Sequence, residues 1–179
     1  MQKNRIKLEK AEYNDIRLIK KIYKEAFPKN ERKPFSIIRK LNRSGKGSLE
    51  KITLDGKICG FFFTVFMDEL ALVDYFAIQR EHRNQGIGEI AIEALSEKYS
   101  DRRIFLEIED PSGSEAAARR LGFYKRCGFS QTGTRVNLFG VDMELLTLGG
   151  FDVDFSTYFE FYVSMVGEVL ASRCVKERK

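Results

Sequence analysis

Residues 70–109 read LALVDYFAIQREHRNQGIGEIAIEALSEKYSDRRIFLEIE, and the alternation of textures along them decides the fold. Leu70 to Ile78 is dense in aromatic and branched side chains and reads as a strand. Gly86 and Gly88 punctuate the turn that follows. Ile87, Ile90, Ala91, Ala94 and Leu95 make one apolar stripe on a helix from about Gly86 to Tyr99. Ile104 to Glu109 then reads as a further strand. Strand, helix and strand in succession predict a parallel crossover within one sheet.

Upstream, Leu49 to Leu54 and Lys57 to Met67 flank Asp55-Gly56, a strong hairpin signal, and Asp68-Glu69 turns the chain into Leu70. These strands form an antiparallel meander. Before them, Arg5 to Glu9 opens the fold as a short strand. Ile16, Ile19, Ile22, Tyr23 and Phe27 recur at helical spacing, with Asn14 or Asp15 as the cap and Pro28 as the stop. Phe35 to Leu41 suggests a second short helix, ended at Ser44-Gly45-Lys46-Gly47.

Downstream, Pro111-Ser112-Gly113 breaks the chain, and Ser114 or a neighbour caps a helix that runs to about Arg126 before Gly128. Phe129 to Leu138 and Val141 to Leu146 read as a closing hairpin around Phe139-Gly140. A last helix from about Ser156 carries Phe159, Tyr162, Val166, Val169 and Leu170 on one face, with Thr157 and Glu160 spaced as a capping box. The expected fold is a mixed-sheet α/β (α+β) domain over residues 1–179, with helices on both faces and a C-terminal helical extension over about 156–179.

With 179 residues, 43% hydrophobic and 32% charged, the chain has the composition of one globular domain. Its longest apolar run, Ile58 to Met67, is too short to span a bilayer, and Met1-Gln2-Lys3-Asn4-Arg5 leads into no signal core. Cys59, Cys127 and Cys174 lie far apart, and His82 is the sole histidine. We expect a cytoplasmic protein without a metal site or a histidine triad. The net charge of +5 permits a polyanionic partner. Its basic residues are dispersed, however, in pairs such as Lys20-Lys21, Arg32-Lys33, Arg39-Lys40, Arg102-Arg103 and Arg119-Arg120, and in the tail from Lys176. No nucleic-acid signature and no membrane segment is present, so neither partner is expected.

The stretch Arg83-Asn84-Gln85-Gly86-Ile87-Gly88 opens the helix, whose first N–H groups are unpaired and carry partial positive charge. Glycines there let a phosphate approach the backbone, and Arg83 adds a donor or braces the loop. Any strand-to-helix turn can also take glycine. Two rivals can be checked against the residues. A dinucleotide fingerprint needs three glycines after a parallel strand, and a triphosphate loop needs lysine and Ser or Thr where this chain has Glu89-Ile90.

A second motif settles the reading. Tyr124 is followed by Gly128-Phe129, after the fifth strand and at the end of its helix. With Arg83, Gly86 and Gly88, this resembles the GCN5-related N-acetyltransferase (GNAT) superfamily, whose loop reads Arg/Gln-x-x-Gly-x-Gly/Ala. The likeness covers about Leu49 to Leu146. It implies acetyl-coenzyme A as co-substrate and a primary amine of a small molecule or peptide as acceptor, attacking directly in a ternary complex. A non-catalytic acyl-coenzyme A sensor is the alternative.

By the same resemblance, Phe76, Ala77 and Ile78 hold pantetheine through their backbone, and Arg83, Asn84, Gln85, Gly86, Ile87 and Gly88 hold the pyrophosphate. Tyr124 would be the general acid. Leu106-Glu107-Ile108 is similar to a Leu-Glu-Val whose glutamate is the base in some members, which points to Glu107. Strict alternation puts Phe105, Glu107 and Glu109 on one strand face. Glu109 and Asp74 remain alternatives, and an ion pair with Arg119 or Arg120 is the plain structural role for these acids. The chain departs from the family in two places. Arg80 stands where many members have proline, and Asp110-Pro111-Ser112-Gly113-Ser114 lacks the asparagine that contacts the cofactor. Ser114 is the residue positioned to replace it. The acceptor side is expected around Phe27 to Phe35. The last helix either packs on the sheet or pairs with a second subunit as a homodimer.

Overall fold

Asp55 and Gly56 join strand β2 (Gly47–Leu54) to strand β3 (Lys57–Met67), with φ of 50° and 78°. Two consecutive left-handed residues match the twist of an antiparallel pair, and here they set the register Leu54↔Lys57. Strand β1 (Ile6–Lys10) adds to the other side of β2, also antiparallel, with Ile6 opposite Leu54. The computed structural model describes residues 5–178. Met1 to Asn4, read above as charged and without a signal core, and Lys179 of the basic tail lie outside the described residues.

The chain divides into two units, residues up to Phe66 with Val73–Asp101, and Met67–Leu72 with residues from Arg102 onward. Strand β4 (Leu70–Ile78) begins in the second and continues in the first. In the first unit the strands run β1-β2-β3-β4. Three helices complete it. Helix α1 (Ile16–Ala26) buries Ile19, Ile22 and Tyr23, and α2 (Phe35–Ser44) buries Phe35, Ile38 and Leu41 before Gly45 ends it at φ 74°. Helix α3 (Ile87–Lys98) buries Ile87, Ala91, Ile92 and Leu95 and packs on β1. Asp15 does not cap α1 with its side chain. Its carboxylate instead accepts from the Glu12 N–H at 2.8 Å and from Lys51 at 3.0 Å.

Strand β3 is buried from Cys59 to Val65, which is why its sequence is a continuous apolar run rather than an alternating one. Gly60 has a specific reason to be there: a Cβ would lie 2.5 Å from the Ala77 carbonyl oxygen on β4. The backbones of β3 and β4 can approach closely at that point only without a side chain.

In the second unit, β5 (Arg103–Glu109), β6 (Phe129–Leu138), β7 (Val141–Leu148) and β8 (Val175–Arg178) run in the order β5-β7-β6-β8, each pair antiparallel. Helix α4 (Glu115–Arg126) starts where the Ser114 hydroxyl accepts from the Ala117 N–H at 3.1 Å, and Gly128 follows its end at φ 89°. The eight strands and six α-helices among the described residues give the expected mixed α/β class.

The C-terminus differs from the single helix expected. Helix α5 (Phe155–Val166) is capped by Asp154, whose carboxylate accepts from the Thr157 N–H at 2.8 Å, so Thr157 is not the cap. Gly167, at φ 84° and ψ 156°, breaks the helix, and α6 (Glu168–Cys174) sets off anew. Val169 and Leu170 are exposed as a result, and the buried face of α5 is Tyr158, Phe161, Tyr162 and Met165. The basic tail forms β8 against β6.

Candidate active site

The first unit carries the expected cofactor segment in one continuous path. Phe76 on β4 stacks on Phe62 of β3 with ring centroids 4.3 Å apart, and Ala77 and Ile78 are buried. The Ile78 carbonyl accepts from the Arg83 side chain at 2.9 Å, so Arg83 braces the loop back onto its own strand. Gln85 makes a second brace, donating to the Glu81 carbonyl at 2.9 Å. Asn84 at φ 58° and Gly86 at φ 75° take left-handed conformations, and Gly86 is the cap residue of α3. Arg83 to Gly86 are exposed, and no side chain covers the first N–H groups of α3 from the cap position. The arrangement is an open, positively polarised turn suited to an anion. His82 belongs to a short 3₁₀ turn, Arg80–His82, ahead of the loop.

Asp74, the second candidate base, is held elsewhere. Its Oδ1 lies 2.6 Å from Lys33 Nζ, with both side chains almost completely buried. Lys33 is the residue before Pro34 in the α1–α2 connection, and that connection is stapled to β4 by more than the ion pair. The Lys33 N–H donates to the Tyr75 hydroxyl at 3.0 Å, Tyr75 donates to the Glu31 carbonyl, and Tyr23 donates to the Lys33 carbonyl. This is a structural use of Asp74 that its place in the sequence did not reveal.

The second unit carries the proton-transfer candidates. Tyr124, on the last turn of α4, is buried, with its ring against Phe123 and Phe129 at 5.1 and 5.5 Å. Burial pushes its phenol well above the usual tyrosine range; the Arg120 cation opposes this, while Cys127 and the Glu107 carboxylate push the same way. The hydroxyl is thus a proton donor throughout the neutral range. Glu107, on β5, is half-buried and accepts a hydrogen bond from the Tyr162 hydroxyl at 3.1 Å. Glu109 is tied to Arg120 at 2.7 Å, and Arg119 pairs instead with Glu115. Of the two acids on that strand face, Glu107 is held by a neutral phenol and Glu109 by a cation. The Ser114 hydroxyl caps α4 by accepting from the Ala117 N–H, which leaves its own O–H as a donor.

Tyr162 is the site neighbour that sequence reasoning missed. Its spacing puts it on the apolar face of the last helix, and the usable signal is its hydroxyl, since a buried phenol must find a partner.

The family profile described as "Acetyltransferase (GNAT) family" matches residues 16–129. The chain belongs to the acetyltransferase (GNAT) family. Among solved structures, a GNAT-family protein from Bacteroides thetaiotaomicron is similar at 24% identity and a TM-score of 0.76, over 90% of this chain and 99% of that one. A spermidine N-acetyltransferase from Vibrio cholerae, in complex with coenzyme A and spermine, matches at 14% identity and a TM-score of 0.65, over 80% and 95%. The ribosomal-protein-S18-alanine N-acetyltransferase of Escherichia coli matches at 22% identity and 0.63, over 84% and 99%. At these identities the likeness is one of fold. No curated protein sequence matches. The GNAT match runs from the first residue of α1 to the first of β6 and so spans the loop, Glu107 and Tyr124. Among the described residues of this GNAT chain, no helix is long and apolar enough to cross a membrane.

Proposed function

We propose that this GNAT protein transfers an acetyl group from acetyl-coenzyme A to a primary amine of a small molecule or peptide. The observation that carries the reading is the braced turn Arg83 to Gly88 at the start of α3, exposed from Arg83 to Gly86 and open there to an anion such as a pyrophosphate. The V. cholerae structure, which holds coenzyme A, and the amine acceptors named for it and for the E. coli enzyme support the same chemistry.

Acetyl-coenzyme A supplies the thioester. The residues of this chain supply binding and protons. Phe76 to Ile78 offer backbone groups to the pantetheine, and Gln85 to Gly88 offer amides to the pyrophosphate. Glu107, directly or through water, takes a proton from the acceptor's ammonium form, and the neutral amine attacks the thioester carbonyl. The carbon–nitrogen bond forms, the carbon–sulfur bond breaks, and the Tyr124 hydroxyl gives its proton to the departing thiolate and regains one shed by the new amide nitrogen. The Tyr162 hydrogen bond orients Glu107 for its part. Cys59, Cys127 and Cys174 form no disulfide among the described residues.

Calorimetric titration with acetyl-coenzyme A tests the cradle. Gly88→Asp places a carboxylate in the first turn of α3, where it suits the helix dipole, and thermal denaturation checks that the variant is folded. It should weaken acetyl-coenzyme A binding about tenfold or more through like-charge repulsion. Undiminished affinity would remove the cradle from the proposal.

A further inference from the structure

Acetyl transfer makes no use of the charge on α1 and α2. Residues 16–47 hold eleven Lys and Arg against two acids, Glu25 and Glu31. That segment is net +9 in a chain of net +5, which leaves the rest of the chain at −4. The pairs Lys20-Lys21, Arg32-Lys33 and Arg39-Lys40 all fall within it, so the basic residues are more gathered than their pairwise spacing suggests.

The fold explains their concentration. Both helices turn their apolar stripes inward, so their outer faces are left to the cations. Arg17, Lys20, Lys21 and Lys24 are exposed on α1, and Arg39, Lys40 and Arg43 on α2. Lys20 Nζ of α1 lies 5.9 Å from the ring of Phe35, the first residue of α2. Internal neutralisation is slight. Lys33 is taken up by Asp74, and Lys21 lies 3.9 Å from Glu25. Arg39, Lys40 and Arg43 have no ion pair among the described residues. They line, with Ser36 and Ser44, an open groove of about 480 Å³ on α2.

Several partners fit this surface poorly. A polyamine carries the same sign of charge as the surface and would be repelled. Membrane insertion needs exposed apolar side chains, and the exposed large hydrophobics, Tyr13, Val169 and Leu170, all lie outside 16–47. Single-stranded nucleic acid needs exposed rings for stacking, and the segment shows none. The exocyclic amines of nucleobases are conjugated and weakly nucleophilic, so a nucleic acid is also a poor acetyl acceptor. A polypeptide can carry both a nucleophilic amine and a run of carboxylates. Arginine forks and serine hydroxyls suit carboxylates well.

We propose that the cationic face of α1 and α2, centred on the α2 groove, docks an acidic polypeptide segment of the acceptor. The inference rests on the acetyl-transfer reading and narrows its acceptor class to proteins or peptides that carry an Asp/Glu-rich segment.

The test uses fluorescence anisotropy with labelled peptides whose amines are blocked, so that docking is read apart from turnover. Three peptides of equal length are compared, Asp/Glu-rich, neutral and Lys/Arg-rich, together with a DNA duplex. The acidic peptide should bind about tenfold or more tighter than the neutral one and weaken as salt rises. The triple variant R39E/K40E/R43E should lose that preference, whereas Lys57→Glu, an exposed cation on β3, should keep it. Calorimetry on the triple variant should show unchanged coenzyme A affinity, which confirms a folded protein. Equal binding of all three peptides, tighter binding of the duplex, or an unaffected triple variant would overturn the proposal. Loss of coenzyme A binding by the unaltered protein would instead remove the acetyl-transfer reading.

Discussion

Tyr124 shows how a side chain's surroundings prepare it for one role. A phenol in water releases its proton near pH 10, and burial moves this one upward. The sign follows directly: the protonated, donating form is complete below the ordinary value and is lost only as pH rises through the shifted one. The Tyr124-dependent part of the rate should therefore stay level from pH 7 to about pH 10. Tyr124→Phe should lower kcat by about a hundredfold with acetyl-coenzyme A affinity kept. Full turnover by that variant would end the acid assignment. At this scale legibility depended on how local each residue's partner is. Arg83 and Gly86 act within a few residues of themselves, so their spacing was readable. Tyr162 acts on Glu107 at a separation of 55 residues, and Asp74 is claimed by Lys33 at 41. Only the fold brings such pairs together.

Among the elements, the hairpin at Asp55-Gly56, the crossover helix and the pair β6–β7 were legible because local turn chemistry dictates each. The C-terminus was not. Apolar spacing continues smoothly from Val166 through Val169 and Leu170, and it hid the break at Gly167. Strand β8 was hidden by its charges; Lys176 to Arg178 read as a solvated tail, yet an edge strand tolerates and even favours charged side chains. Ser114 shows one residue with two candidate roles. As the cap of α4 it satisfies the Ala117 N–H, and Ser114→Ala should cost about 1 kcal/mol. Thermal denaturation should show that loss, and Ser114→Asp should restore the stability. The capping hydroxyl only accepts, which leaves its O–H for the cofactor; if Ser114 makes that contact, acetyl-coenzyme A affinity falls in the alanine variant, and undiminished affinity would remove Ser114 from the cofactor site.

At the scale of the whole molecule, two motifs and their order were enough to reach the family, because the GNAT signature is carried by short segments rather than by overall identity. The acceptor left no comparable motif. On our proposal it is written in the distribution of charge: the surplus over residues 16–47 can be counted in the sequence, and the fold shows it on the outer faces of α1 and α2. The central claim is acetyl transfer from acetyl-coenzyme A to an amine, and mass spectrometry of an amine and peptide panel incubated with protein and acetyl-coenzyme A tests it most directly. The account predicts products heavier by one acetyl group, with free thiol released in equal amount and acidic peptides acetylated first. Tight coenzyme A binding with no acetylated product across that panel would contradict it and leave a sensor in place of an enzyme.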